Sequence, residues 1–243
     1  MIRVEAGGVV FEVEAVAFDK DGTLIDLDSA WGPAARHWVE AAAAGDLDLA
    51  KDLASSLGLD VDTGRLLIDG PFAVGTVRAL YETTLAVLSS HGVGLDEAHL
   101  KAEHARETSA EAGEAGNLVP LGNVAGVFRA LREAGARLAV VSNDDRKSVD
   151  AAVAALGIGS LLDAVLAGDD GFDPKPAPDG LTEVASRLSV EPGRMLYVGD
   201  SWVDATAGRA AGLAGIVLVG DPPPEARELA SVVVPGVDSL RVT

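Results

Sequence analysis

Several apolar runs in this chain end in residues capable of chemistry. Ala15-Val16-Ala17-Phe18 is followed by Asp19 and Asp21, and Arg137-Leu138-Ala139-Val140-Val141 by Ser142 and Asn143. Met195-Leu196-Tyr197-Val198 is followed by Gly199, Asp200 and then Asp204, and Lys175 stands between prolines in Asp173-Pro174-Lys175-Pro176. Gathered in one place, these groups supply carboxylates, an ammonium, a hydroxyl and an amide. Clustered carboxylates repel and raise one another's pKa unless a cation joins them. With no cysteine in the chain and oxygen ligands on offer, the cation that suits them is a hard one such as Mg²⁺. A carboxylate held by Mg²⁺ beside a phosphate can attack phosphorus and form an aspartyl-phosphate. Lys175 would balance charge between nucleophile and phosphoryl group. Ser142 and backbone N–H groups at helix starts would bind the remaining phosphate oxygens.

These groups need a scaffold that brings them together. Residues 9–13 alternate and are rich in valine, and Gly7-Gly8 before them signals a turn, so a hairpin is expected to lead into a buried strand at 15–18. After Pro120 the pattern alternates between types. Helices are expected at 124–133, 145–156, 181–188 and 203–211, and strands at 137–141, 164–167, 195–198 and 215–219. Such alternation implies a parallel sheet with helices on both faces. In open sheets of that kind, ligands bind beyond the carboxyl ends of the strands, where the polar residues above fall. Between 29 and 117 strand-like runs vanish. Ala34, Trp38, Ala41 and Ala42 can share one helical face, as can Val77, Leu80, Leu85 and Leu88, with breaks at 60–64 and 69–71. This stretch reads as an all-helical insert.

Composition excludes other classes. The 243 residues are 48% hydrophobic and 23% charged, ordinary for a globular protein. Nineteen basic residues face 38 acidic ones, a net charge of −19, which disfavours nucleic acid and anionic membranes as partners. The absence of cysteine removes disulfides, thiolate metal sites and thiol nucleophiles. The longest apolar run, 210–220, is well short of the roughly 18 residues of a membrane span. The start carries no positive region leading into an apolar stretch, so a cytoplasmic location is expected. Nothing in the patterning specifies an oligomeric state.

Phe18-Asp19-Lys20-Asp21-Gly22-Thr23-Leu24 resembles the first motif of the haloacid dehalogenase-like (HAD) hydrolase superfamily. Val140-Val141-Ser142-Asn143 resembles the second motif, Lys175-Pro176 the third, and Val198-Gly199-Asp200-Ser201-Trp202-Val203-Asp204 the fourth. The four occur in the family's order, and the helical insert lies where the family places a C1 cap. The resemblance implies a Rossmann-like three-layer α/β/α core with a parallel sheet, formed by 1–28 and 118–243, and an all-helical cap at 29–117. It also implies a Mg²⁺-dependent phosphatase, similar to the phosphoglycolate phosphatase-like members, acting on a small phosphorylated metabolite. By that resemblance Asp19 is the nucleophile and Asp21 the general acid and then base. The metal is held by the Asp19 carboxylate, the Asp21 backbone carbonyl and Asp200, with Asp204 a supporting or additional metal partner. Ser142 and Lys175 bind the phosphoryl group, and Asn143 lies where the family's loop makes backbone contacts. Dehalogenases of the superfamily lack an acid at the position of Asp21, since a halide needs no proton. Thr23 resembles the phosphatase branch; mutases often carry Val there.

Other readings compete. A sugar-phosphate mutase of the same superfamily, or a catalytically silent binding protein on the same fold, would share most of these features. Asp21-Gly22 also suits a hairpin turn, and Asp200 and Asp204 suit a helix start. His37, His91, His99 and His104 show no metal spacing, and 169–173 fails the calcium-loop pattern. Trp31, Trp38 and Trp202 fit packing, with Trp31 and Trp38 also placed just past the first motif, where a cap would hinge and face the site; Arg36, His37, Arg65 and Arg78 are the insert's candidates for gripping an anion against a default of simple exposure.

Overall fold

The chain opens on a hairpin because Gly7 and Gly8 both take positive φ, 56° and 84°, as a tight two-residue hairpin turn demands. The computed structural model describes residues 1–67, 70–114 and 118–243. Strands β1 (Ile2–Ala6) and β2 (Val9–Val13) pair antiparallel, with Ile2 opposite Val13. Strand β3 (Ala15–Phe18) follows, and all four of its residues are buried. The sheet it belongs to also contains β4 (Arg137–Val141), β5 (Ala164–Leu166), β6 (Met195–Gly199), β7 (Gly215–Val219) and β8 (Val232–Val234).

These six strands run parallel in the order β5-β4-β3-β6-β7-β8. The chain starts in the middle, moves outward through β4 and β5, then returns to the other side of β3 for β6, β7 and β8. The direction reverses beside β3, which makes that position the topological switch point. The register is level there: Phe18 pairs with Val140 on one side and Val198 on the other. The residues that leave β3, β4 and β6 therefore emerge side by side.

Helices cover both faces. In the insert stand α1 (Leu27–Ala43), α2 (Leu47–Leu57), α3 (Pro71–Val74), α4 (Val77–Ser90) and α5 (Leu95–Glu114); around the sheet stand α6 (Val124–Glu133), α7 (Arg146–Leu156), α8 (Asp179–Leu188), α9 (Trp202–Ala210) and α10 (Pro224–Leu229). On one face Ala15, Ala17, Ala139 and Val141 pack with Leu181, Val184 and Leu188 of α8 and Ala207 of α9. On the other, Phe18 meets Phe128 of α6, ring centroids 4.5 Å apart. The result is a three-layer α/β/α core. Two strands are additions to the sequence reading. β8 completes the sheet edge, and β9 (Arg241–Val242) pairs with β1, so that β2, β1 and β9 form a second, antiparallel sheet.

Two compact units emerge: 1–26 with 120–243, and 27–119. The expected insert boundary at 117 and the expected break at Asp69 lie outside the described residues. The helical unit has its own core of Trp38, Leu53, Leu57, Leu80, Leu88, Ala98 and Ala105. Trp38 Nε1 donates to Thr84 Oγ1 at 2.9 Å, and the Trp38 ring meets Phe72 edge-on. Val77, expected on the buried face of α4, is exposed: it is the first residue after the Thr76 cap, and the buried stripe runs through Leu80, Thr84 and Leu88 instead. Among the described residues no helix is long and apolar enough to cross a membrane.

Phe18 and Phe128 are fully buried directly beneath the first acidic loop. Phe128→Ala is expected to cost about 3–5 kcal/mol of stability, through lost burial and a residual cavity. Urea unfolding of the variant against the parent checks this.

Candidate active site

Asp19 is the first residue past β3, and its N–H donates to Val198 O at 2.8 Å, which fixes it against the end of β6. The chain then folds back on itself. Lys20 C=O accepts from Leu24 N–H at 2.9 Å and Ile25 N–H at 3.1 Å, and Gly22 N–H donates to Ile25 O at 2.8 Å. Gly22 has φ 73°, and a Cβ there would stand 2.0 Å from Asp200 Oδ2. Only glycine satisfies both the backbone angle and the close approach of the carboxylate. The hairpin reading of Asp21-Gly22 fails, because β3 has parallel partners on both sides.

Lys175 is delivered by the loop before α8. Asn143 grips that loop with its side-chain amide: Oδ1 accepts from Lys175 N–H at 2.8 Å, and Nδ2 donates to Lys175 O at 2.9 Å. The Asn143 side chain thus holds Lys175 in place through both ends of its amide. The Lys175 ammonium is buried and makes three bonds, to Asp19 Oδ1 at 2.5 Å, Asp204 Oδ1 at 2.6 Å and Tyr197 Oη at 2.9 Å. Three bonds use all three of its protons.

Asp204, 1% exposed, is bonded through both oxygens. Its Oδ2 accepts from Ser201 Oγ at 2.6 Å, Ser201 N–H at 3.1 Å and Asp200 N–H at 3.3 Å; its Oδ1 accepts from Lys175 and from Tyr197 Oη. Ser201 and Asp204 together form the capping box of α9. The helix-start reading of Asp204 is thus correct and compatible with a site role: one residue caps α9 and anchors Lys175. Asp200 is buried against Gly22. Ligand oxygens of Asp19, Asp200 and Asp204 lie within 4.8 Å of one another. The Asp21 carboxylate is outside this group and 2.7 Å from Lys20 Nζ. Ser142 is buried at the end of β4, where its Oγ accepts from Asp144 N–H at 3.2 Å.

Electrostatically the cluster is short of positive charge. Burial pushes the Asp19 carboxyl up to about 7; Lys175 opposes that shift, and Asp204 and Asp21 add to it. Burial, then Asp204 and Asp19, hold Asp200 well above the ordinary carboxylate range. Asp204 goes the other way. Burial works against its charge, but Lys175 and the Ser201 bonds hold its pKa below the usual value. Lys175 is raised well above the ordinary lysine value despite burial, because Asp19 and Asp204 face it. Three carboxylates face one ammonium, and the hard oxygen donors of Asp19 and Asp200, beside an Asp204 already bonded within the protein, fit a divalent cation such as Mg²⁺.

Several participants escaped sequence reading. Tyr197 lies inside an apolar strand run, yet its hydroxyl touches Lys175 and Asp204; a tyrosine expected in a strand buried on both faces was the available signal, because a buried phenol needs a partner. Ser201 and Lys20 sat within quoted motifs without an assigned task. Elsewhere polar side chains make local contacts. Arg36 donates to Gly64 O at 2.9 Å, Arg78 pairs with Glu82 at 2.8 Å, His91 pairs with Asp52 and His99 with Tyr81. Asp169 accepts from the first N–H of α7, and Asp170 pairs with Arg146.

Comparison with known proteins agrees with this geometry. A haloacid dehalogenase-like hydrolase family model matches residues 13–212. Phosphoglycolate phosphatase of Escherichia coli K12 is 38% identical over 96 residues, which is 40% of this chain and 38% of the relative. The match thus spans less than half the length of that protein. Among solved structures, a predicted phosphoglycolate phosphatase from Haemophilus somnus 129pt superposes with a TM-score of 0.69 at 20% identity, covering 93% of this chain and 95% of that one. A HAD family hydrolase from Deinococcus radiodurans R1, with bound phosphate and sodium, gives 0.60 at 22% identity and 93% coverage of each. At these identities the structures speak to the fold alone, whereas the family model takes in all four acidic and lysine loops. The chain belongs to the haloacid dehalogenase-like hydrolase family.

Proposed function

We propose that this protein is a Mg²⁺-dependent phosphatase that hydrolyses a small phosphorylated metabolite through an acyl phosphate on Asp19. The observation that carries the reading is the buried Asp19 carboxylate, bonded to Lys175 and grouped with Asp200 at the sheet's switch point. Phosphoglycolate phosphatase, the name of the relative in Escherichia coli, supports phosphate monoesters as the substrate class.

Asp19 and Asp200, with the Asp21 backbone carbonyl, would hold the ion. When bound, Mg²⁺ supplies charge neutralisation for the acids and polarises a phosphoryl oxygen. The chain's own residues do the rest. Lys175 holds Asp19 in place and offsets charge as the phosphoryl group approaches. Ser142 offers its hydroxyl to a phosphoryl oxygen. Asp19 attacks phosphorus, the bond from phosphorus to the leaving oxygen breaks, and Asp21 gives that oxygen its proton. Water then attacks the same phosphorus and loses a proton to Asp21. The bond from phosphorus to Asp19 breaks, releasing inorganic phosphate and restoring the carboxylate. Asp204 stays out of the exchange and keeps Lys175 and the 200–201 backbone aligned.

A panel of sugar, nucleotide and carboxylate phosphates, with Mg²⁺ and with chelator, tests the reading. Release of phosphate without an isomerised product supports a phosphatase over a mutase, and an inert panel favours a silent binding protein. Asp19→Asn is expected to lower kcat at least about 10³-fold with the fold unchanged by circular dichroism. Retained turnover removes Asp19 as nucleophile. Asp21→Asn is expected to slow turnover on the order of 10²–10⁴-fold, with acid-quench labelling reporting how much phosphate remains on the protein.

The raised acids give a pH signature. A buried acid whose folded pKa is raised costs stability as pH climbs from its unfolded value to its folded one, here from 3.8 to about 7 for Asp19. A cation competes with those protons, so the rise in Tm on adding Mg²⁺ is expected to grow as pH approaches about 7. Thermal scans in Mg²⁺ and in chelator across that range check it. A shift that ignores pH counts against Asp19 and Asp200 as ligands.

A further inference from the structure

Lys20 stands between the two acids of the first loop, and its side chain is 2% exposed. A lysine is seldom buried so deeply unless paired. Its Nζ lies 2.7 Å from Asp21 Oδ1 and 2.9 Å from Asp144 Oδ2. The two acids come from different loops, Asp21 from the one after β3 and Asp144 from the one after β4. Asp144 is itself well anchored. Its carbonyl accepts from Gly168 N–H at 2.6 Å, its Oδ1 accepts from Asp145 N–H at 2.9 Å, and its N–H donates to Ser142 Oγ. At the other end, the Lys20 carbonyl closes the turn through Leu24 and Ile25. The ammonium therefore ties the Asp21 carboxyl to a firm point on the neighbouring loop.

We propose that Lys20 is a positioning residue, with the Asp144–Lys20 ion pair holding the Asp21 carboxyl in the orientation from which it protonates the leaving oxygen. The inference rests on the acid role given to Asp21 above and extends it to the pair that aims it. Asp21 sits on a turn and is only partly buried, so packing alone constrains its side chain less than that of Asp19. A proton donor must lie within hydrogen-bond reach of the oxygen it serves, and small misplacements cost large factors in rate. Lys20 forms and breaks no bond in the reaction. The proton passes from Asp21 to the oxygen released from phosphorus.

The leaving group supplies a readout that fold maintenance alone would not move. 2,4-Dinitrophenolate departs without a proton, whereas an alkoxide needs one. kcat/KM reports the steps through enzyme phosphorylation, where that proton is given. It is measured for 2,4-dinitrophenyl phosphate and for the alkyl phosphate turned over fastest in the panel, in the parent and in Lys20→Met. The ratio of alkyl to aryl kcat/KM is expected to fall at least about tenfold in the variant. Equal losses on both esters, or no loss, overturn the proposal. If Lys20→Met does not fold by circular dichroism, Asp144→Asn decides by the same ratio: a fall of about threefold or more supports the proposal and an unchanged ratio overturns it. A parent protein inert on the whole panel removes the phosphatase reading and this role with it. An active parent with an unchanged ratio in the variant removes the role of Lys20 alone.

Discussion

The structure turns on one buried ammonium. Lys175 is taken out of water and given three acceptors, Asp19, Asp204 and Tyr197, one for each proton. Desolvating a charge is repaid only when every donor is met in good geometry, and breaking a buried pair costs on the order of 3–5 kcal/mol. That requirement propagates outward. Asn143 must clamp the Lys175 backbone, Ser201 must share Asp204 with the lysine, and Tyr197 must place a hydroxyl inside an otherwise apolar strand. Asn143 follows β4, Tyr197 lies within β6 and Ser201 follows it, so the demand of one side chain explains polar choices on both strands that flank β3.

Strand order makes the arrangement possible. Asp19 and Lys175 are 156 positions apart, and their contact exists because the sheet begins at its centre and reverses there. Level register between β3 and β6 sets the loops that follow them side by side, and Gly22 lies where the Asp200 carboxylate closes in. The glycine is thus a consequence of the acid opposite it as well as of the turn that carries it.

Legibility followed range. The apolar runs at 15–18, 137–141, 195–198 and 215–219 identified their strands because burial on both faces is written locally. The chemical residues stood out because acids recur just past such runs and a lysine stands between prolines, in the order of the four motifs. What escaped depended on partners distant in the chain. β8 and β9 have three and two residues, too few to carry a period, and exist through pairing with β7 and β1. Asn143 followed from its place in the second motif, but the bond its side chain makes to the backbone of a residue 32 positions on could not be read locally. Tyr197 and Lys20 were visible only as anomalies, polar groups in surroundings that bury everything.

The charge balance links the site to the whole chain. A net charge of −19 disfavours an anionic substrate at long range, so attraction has to be local. With Asp19, Asp200 and Asp204 ionised, one lysine leaves two negative charges in excess, which adds to the burial that holds the first two acids at raised pKa. Lys175 cannot cover it, because its three protons already serve the protein. Nor can Lys20, which is committed to Asp21 and Asp144. On the proposed reading a divalent ion cancels the excess, and only then does a phosphate monoester meet a site that no longer repels it. On that same reading ion binding would precede substrate binding for an electrostatic reason inherent in the residues, the excess that opposes the substrate being what would recruit the ion.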